Sequence, residues 1–168
     1  MLAGWSDVAF GTHAQDGRIR LGYIIGLMSS TLTGPAHILQ WTSKFTREHV
    51  KSSLGGEIFA LNEMWDHVEM ISEFFAALGR EKIRFFGLID CESLLSHLRT
   101  GRFGTEKVLT RHFRSILDAL VSRDLGNVAW IPDTGNPADG LTKAKSELGP
   151  LFHLLDTGTH RPGRLAVY

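Results

Sequence analysis

The first part of the chain alternates apolar and polar positions with a period of two, a pattern typical of strands. Residues 3 to 10 form the first predicted strand, in which Asp7 sits among apolar neighbours. After the turn signal Asp16-Gly17, residues 19 to 28 predict a second strand, and residues 37 to 44 predict a third. Because the links are short, we expect these three strands to form an antiparallel meander.

From about Ser52 the apolar positions recur every three or four residues, which predicts the longest helix of the chain, ending at Gly79. Residues 83 to 89 are almost continuously apolar, as in a strand that is covered on both faces. The remaining predicted elements are helices at about 92 to 99 and 106 to 123, a strand at 127 to 131, and a last helix that begins near Asn136-Pro137.

This order of elements predicts the fold class. Hairpins join antiparallel strands, whereas crossover helices join parallel ones. We therefore expect an α/β fold with a mixed five-stranded sheet, made of a three-strand antiparallel meander plus two parallel strands, with helices packed on it. The expected domain covers residues 1–148. Residues 149–168, which contain Pro150, Pro162 and several glycines, predict an irregular C-terminal tail.

Composition narrows the classes of function. The 18 basic and 18 acidic residues cancel, so nucleic-acid binding would have to come from a local basic patch. The single cysteine, Cys91, excludes an internal disulfide framework and a Cys-rich zinc site. The N-terminal residues lack a basic region followed by an apolar one, and no apolar run approaches the roughly 20 residues of a membrane span. We expect an intracellular protein without a membrane anchor.

Four acidic residues occupy positions that need an explanation. Glu57 continues the apolar stripe of the long helix, and Asp7 lies inside a strand, where Asp is depleted. Asp90 ends a buried strand, and Asp139 lies near the start of the last helix. Each also has a purely structural explanation. Glu57 fits a solvated acid in a first helical turn, and Asp7 fits an edge or bulge residue. Asp90 fits a helix N-cap, and Asp139 fits a capping-box acid.

The acids stand in recognisable sequence strings, which occur in a fixed order. These are Gly4-Trp5-Ser6-Asp7, Leu39-Gln-Trp-Thr-Ser-Lys44, Ser52-Ser53-Leu-Gly-Gly-Glu57-Ile-Phe-Ala-Leu61, Ile89-Asp90-Cys-Glu-Ser93 and Ala138-Asp139-Gly-Leu-Thr-Lys143. Together they resemble the ribonuclease H domain that ends the polyprotein of copia-type retrotransposons. The resemblance covers roughly residues 3 to 146, nearly the whole expected domain.

The resemblance implies that Asp7, Glu57, Asp90 and Asp139 converge as catalytic metal ligands for two Mg²⁺ ions, with Mn²⁺ as a substitute. It implies an endonuclease that hydrolyses the RNA strand of RNA/DNA hybrids, in the cytoplasm or within a virus-like particle, with an upstream reverse transcriptase domain as a partner. Two hard cations about 4 Å apart can stabilise the charge on the attacking and leaving oxygens, and carboxylates suffice to hold Mg²⁺.

Several further residues are candidates for contact with the substrate. Basic residues at helical spacing predict a phosphate-binding face at Lys107, Arg111 and Arg114, although a solvated helix face explains them equally well. Ser52, Ser53 and Asn136 could bond sugar or backbone groups, and helix capping is their alternative. His112 matches a histidine of the copia-type domains and is a candidate auxiliary residue. A packed or exposed helical histidine is the alternative explanation.

Two departures from the family leave other functions open. Gly55-Gly56 precede Glu57 and lower helix propensity there, and residues 132 to 135 lack the histidine that cellular type 1 ribonucleases H carry before the last acid. The main alternative is a catalytically weak or inactive module that binds nucleic acid or a reverse transcriptase. An integrase or resolvase core shares clustered acids but lacks these strings. Residues 154–159 match an aspartic-protease loop, but too few residues follow for a protease subunit.

Overall fold

The computed structural model describes residues 1–10, 18–47, 49–103, 107–122, 126–143 and 148–167, with the side chains of 107 and 108 excepted. The strands are β1 (Leu2–Ala9), β2 (Arg20–Met28), β3 (Gly34–Phe45), β4 (Phe85–Ile89), β5 (Gly126–Trp130), β6 (Thr159–His160) and β7 (Ala166–Val167). The helices are α1 (Ser53–Ala77), α2 (Glu92–Thr100), α3 (Lys107–Val121), α4 (Asp139–Thr142) and α5 (Gly149–Thr157), with a 3₁₀ turn at Asp133–Gly135.

The strands form one mixed sheet in the order β6-β3-β2-β1-β4-β5-β7. β1, β2 and β3 pair antiparallel, whereas β1, β4 and β5 pair parallel. The predicted α/β class, the meander and the two parallel strands are therefore confirmed. Within the described residues the sheet has seven strands and not the predicted five, because two short strands near the C-terminus add one to each edge.

Apolar side chains of β1 enter two separate cores, one on each face of the sheet. Leu2 and Val8 pack with the core beneath α1, α2 and α3, whereas Trp5 packs in the second core with Leu154 of α5. The alternation predicted for the first strand is thus present. β4 is buried apart from a half-buried Phe86, as its continuous apolar run indicates.

The last predicted helix differs from the structure. The chain forms the 3₁₀ turn and then only the four-residue α4. The reason is local, since Asn136 turns its side chain inward, and its Oδ1 accepts a hydrogen bond from Ala138 N, 3.1 Å away. This hydrogen bond between the Asn136 side chain and the backbone closes a turn at the position where we expected a helix N-cap.

The expectation of an irregular tail at 149–168 is wrong for most of that segment, which contains α5, β6 and β7. Pro150 lies in the first turn of α5, where a missing N–H is tolerated. Leu154 is buried in the second core, and Leu151 packs against it. Burial of these leucines against the sheet explains why a segment rich in Pro and Gly is ordered.

The turn predicted at Asp16-Gly17 lies outside the described residues. Within the ranges given above, no helix combines the length and the apolar character that a membrane crossing requires.

Candidate metal centre

The sheet brings two of the four acids together. Trp5 of β1 is paired with Leu88 of β4, and Asp7 and Asp90 each follow two residues later on these parallel neighbours. They therefore lie side by side near the carboxyl end of β4. The N-cap of α2 is Cys91, so Asp90 does not fill the capping role that its position also suggested.

The other two acids come from helices on opposite faces. Asp139 is the first residue of α4, and Glu57 lies in the second turn of α1. Carboxylate oxygens of Asp7, Asp90 and Asp139 lie within 4.8 Å of one another, the geometry of a shared metal site. Glu57 is not a member of this group of three, although it is close enough that, after burial, the charges of Asp90 and Asp7 also raise its pKa. The structure thus brings three predicted ligands together, with the fourth beside them.

Burial makes these carboxyl groups hold protons more tightly than usual. Desolvation raises the pKa of Asp7 to about 6, against the effect of a hydrogen bond from Thr142. Desolvation and the neighbouring charge of Asp7 raise the pKa of Asp139 to about 7. The pKa of Glu57 is raised well above its ordinary value, mainly by burial. That of Asp90 is also raised by burial, although a hydrogen bond from Asn136 opposes the shift.

The site fits a divalent cation. Glu57 Oε2 and Asp139 Oδ1 are buried, and no residue in the described ranges donates a hydrogen bond to either oxygen. A buried carboxylate without a partner is unfavourable, and several of them together repel one another. A hard cation that accepts oxygen ligands would remove both penalties.

Three residues beside the acids were not assigned a role from the sequence. The Thr142 hydroxyl donates to Asp7 Oδ2, and Lys143 Nζ lies 3.1 Å from Asp139 Oδ2 and 3.7 Å from Asp7 Oδ1. Burial lowers the pKa of the Lys143 ammonium, but Asp7 and Asp139 outweigh this and raise it overall. Trp130 Nε1 donates to the Asp90 carbonyl, 2.9 Å away. The i+3 and i+4 spacing of Thr142 and Lys143 from Asp139 was a usable signal.

Glycines allow the helices to approach the strands that carry the acids. A Cβ on Gly22, which pairs with Asp7, would lie 2.8 Å from atoms of both Leu141 and Thr142 in the segment that carries Asp139. At the start of α1, a Cβ on Gly56 would lie 2.9 Å from the Ile19 side chain. The double glycine before Glu57 therefore lets α1 lie close to the sheet, despite its low helix propensity.

The residues predicted to contact substrate have different environments. Arg111 and Arg114 are exposed on α3, whereas the Lys107 side chain is outside the described part of the chain. His112 packs edge-on against Phe59 of α1, with ring centroids 5.3 Å apart.

Helix capping was the alternative explanation for three candidates. Ser52 is indeed the N-cap of α1 and accepts a hydrogen bond from Gly55 N. Ser53 is exposed. Asn136 is fully buried, and its Nδ2 donates to Ser6 O and Asp90 Oδ2, each 3.0 Å away. Its burial argues against the predicted contact with nucleic acid and assigns it the positioning of Asp90.

No family model and no curated protein matches this sequence. Among solved structures, LC11-RNase H1 in complex with RNA/DNA hybrid is 15% identical with a TM-score of 0.62, over 84% of this chain and 93% of that one. RNase H1 from the halophilic archaeon Halobacterium salinarum is 17% identical with a TM-score of 0.56, over 83% and 92%. A foamy viral protease-reverse transcriptase in complex with dsDNA is 14% identical with a TM-score of 0.50, over 84% and 89%. The acidic site described above therefore stands on a ribonuclease H-like fold.

Proposed function

We propose that this protein is a metal-dependent endonuclease that hydrolyses the RNA strand of RNA/DNA hybrids. The observation that carries the proposal is the convergence of Asp7, Asp90 and Asp139, with oxygens within 4.8 Å, on a ribonuclease H-like fold. One buried oxygen on each of Glu57 and Asp139 receives no hydrogen bond from the part of the chain that the structure describes, which supports a bound cation. A protein of this fold in complex with RNA/DNA hybrid supports the substrate class.

The resident ions would be two Mg²⁺, or Mn²⁺ in their place, and when bound they would activate water and stabilise the charge on the leaving oxygen. Asp7, Glu57, Asp90 and Asp139 would hold them. Lys143 neutralises part of the cluster, and Asn136 keeps the Asp90 carboxylate turned toward the site. The Thr142 hydroxyl likewise donates a hydrogen bond to Asp7 and keeps that carboxylate in place.

The substrate would be recognised mainly through its backbone. A hybrid presents 2′-hydroxyls in a wide, shallow minor groove, so discrimination would depend on shape and sugar and not on base sequence. We assign phosphate contacts to Arg111 and Arg114 on the exposed side of α3, together with Lys107, and backbone or sugar contact to Ser53.

Replacing both arginines, Arg111 and Arg114, by alanine should weaken hybrid binding at low salt. The slope of log K for binding against log salt concentration should become less steep by about two.

A cleavage assay tests the proposal directly. Labelled RNA/DNA hybrid, duplex DNA and duplex RNA are incubated with the protein in Mg²⁺ or in chelator. We expect cleavage of hybrid RNA alone, in Mg²⁺ alone, and its loss in Asp90→Asn. Asp156→Asn, an exposed acid on α5, is the matched control and should cleave as the wild type does.

A second candidate function is the same fold as a catalytically weak or inactive module that binds hybrid or a reverse transcriptase. The missing histidine before Asp139 favours slow turnover. If hybrid RNA survives high enzyme concentrations in Mg²⁺ while a gel-shift assay shows a hybrid complex, this second function replaces the first.

The five sequence strings support an origin in a copia-type retroelement, with a reverse transcriptase domain as partner and action in the cytoplasm or in a virus-like particle. Sequencing the surrounding locus tests this origin. We expect reverse transcriptase coding sequence upstream in the same reading frame. Its absence, together with flanking genes unrelated to mobile elements, would refute the origin but not the nuclease activity.

A further inference from the structure

Residues 159–167, which we call the C-terminal strap, join the two edges of the sheet. β6 pairs with β3 at Gly34–Pro35, and β7 pairs with β5 at Ala129–Trp130. These are the opposite ends of the strand order. Between them, the strap contacts the segment 130–136, which leads from β5 to the last acid of the site.

His160 anchors the strap inside the protein. It is 3% exposed, and its Nε2 accepts a hydrogen bond from Trp5 Nε1, 3.0 Å away on the central strand. Its Nδ1 lies 3.1 Å from Leu32 O, and the Gly135 carbonyl lies 3.1 Å from Nε2. Because Nε2 accepts from Trp5, the neutral ring carries its proton on Nδ1 and donates it to Leu32. The imidazole is thus held from two sides, by Trp5 and Leu32, and this fixes the position of the strap. With this tautomer Nε2 has no proton to donate to the Gly135 carbonyl, so the strap acts on the segment 130–136 through packing.

The strap backbone also packs directly on this segment. A Cβ on Gly135 would lie 2.8 Å from Pro162 O, and one on Gly163 would lie 3.5 Å from Pro132 Cγ. Pro162 is buried. The two backbones approach so closely that a displacement of the strap would change the path of residues 132–135.

The segment 130–136, beneath the strap, donates a hydrogen bond to Asp90 from each of the segment's two ends. At one end, Trp130 donates to the Asp90 carbonyl, and the same residue is paired with Ala166 of the strap. At the other end, Asn136 donates to the Asp90 carboxylate and directly follows Gly135. Both donors to this acid therefore adjoin strap contacts.

We propose that the C-terminal strap, through His160 and Pro162, positions Asp90 for metal binding. The inference rests on the metal site in the proposed function and adds a structural requirement to it. His160 is a positioning residue, since it anchors the strap whose Pro162 packs on Gly135, and it does not touch the acids.

The test measures the dissociation constant for Mn²⁺ of the metal-free full chain by calorimetry, beside its melting temperature. His160→Phe keeps a ring but removes the acceptor for Trp5, and we expect it to weaken Mn²⁺ binding roughly tenfold. His160→Gln offers a carbonyl oxygen to Trp5 and should restore most of the affinity. Gly135→Ala should weaken binding without changing His160, because its methyl group displaces Pro162.

Two controls separate positioning from stability. Arg164→Ala changes an exposed strap residue and should leave both measurements as in the wild type. Leu120→Ala truncates a core residue of α3, on the face of the sheet opposite to His160 and its partner Trp5, and should lower the melting temperature with an unchanged Mn²⁺ constant. If His160→Phe fails to fold, Gly135→Ala carries the test.

Wild-type Mn²⁺ affinity in folded His160→Phe and Gly135→Ala would overturn the role of the strap and leave the metal site intact. A loss of affinity in Leu120→Ala as large as that in the strap variants would also overturn it, because the effect would then follow stability. If the wild type itself binds no Mn²⁺, the metal site fails and the strap inference fails with it.

Discussion

The carboxyl groups of the site lie in an environment that favours a bound cation over bound water. The ammonium of Lys143 lies beside two of the four carboxyl groups, Asp7 and Asp139, and burial raises the pKa of each of the four. Glu57 is the extreme case, because burial raises its pKa well above the ordinary value and no described residue donates a hydrogen bond to its Oε2. This strain favours metal binding and reduces the stability of the metal-free protein.

Glu57→Gln should therefore stabilise the metal-free protein at pH 8. The folded-state pKa is raised, so the folded protein binds more protons than the unfolded chain, and stability is lost as pH rises through that pKa. We expect a gain of about 1–3 kcal/mol at pH 8 that shrinks near pH 4, measured by urea unfolding in chelator.

Glu73→Gln, an exposed acid on the same helix, is the control for this substitution and should have no effect at either pH. A loss of stability in Glu57→Gln at pH 8 would contradict the account of this carboxyl.

Thr142→Val should shift the pH dependence of metal binding. The hydroxyl donates to Asp7 and lowers its pKa, which burial has raised to about 6. Without it the pKa rises further, and a cation must displace a proton over a wider range. We expect the midpoint of the acidic limb of Mn²⁺ binding to move to higher pH, as measured by titration calorimetry. Thr142→Ser keeps the hydroxyl, and an equal shift in that variant would rule out the hydrogen bond as the cause.

Among the elements, α4 shows how a very short helix can carry a functional acid. It has four residues and little stability of its own, so its place depends on contact with β2. Gly22 leaves room for Leu141 and Thr142, and the Ser43 hydroxyl donates to Leu141 O, 2.6 Å away. The sheet, and not the helix, therefore determines where Asp139 lies.

Gly22→Ala should move α4 away from the sheet. Its methyl group would lie 2.8 Å from Leu141 Cβ, so the element must shift as a whole. We expect a loss of about 1–3 kcal/mol in unfolding free energy and a several-fold weaker Mn²⁺ affinity. Gly149→Ala is the matched control, since a Cβ there meets nothing within 4 Å. Wild-type affinity in Gly22→Ala would show that β2 does not position α4.

For the whole molecule, the site joins parts of the chain that are far apart in sequence. Its four carboxyl groups come from β1, α1, the end of β4 and α4, and the strap ties both sheet edges to the segment between β5 and α4. An ion bound by these elements would stabilise the entire fold, because the unfolded chain does not hold the site together.

Divalent cations should accordingly raise the melting temperature in a pH-dependent way. An ion at 100 times its dissociation constant adds about 2.7 kcal/mol, or roughly 5–10 °C for a chain of this size. With the pKa of Asp7 at about 6 and that of Asp139 at about 7, protons compete below these values. A given Mg²⁺ concentration should therefore give a larger shift at pH 8 than at pH 5.5 in differential scanning calorimetry. Equal shifts at both pH values would contradict the carboxyl site.

The sequence by itself determined most of the elements up to β5, because the periods of two and of three to four residues are local properties of the chain. The meander, the long helix and the buried fourth strand followed from them, and so did the placement of Asp7 on a strand and of Asp90 directly after one. Tertiary structure alone decided which groups meet. Glu57 is buried next to a double glycine, the Thr142 hydroxyl donates to Asp7, and Asn136 turns inward and donates to Asp90. It also decided that a tail rich in Pro and Gly is ordered, because its leucines and His160 find partners more than 100 residues away, which no local pattern records.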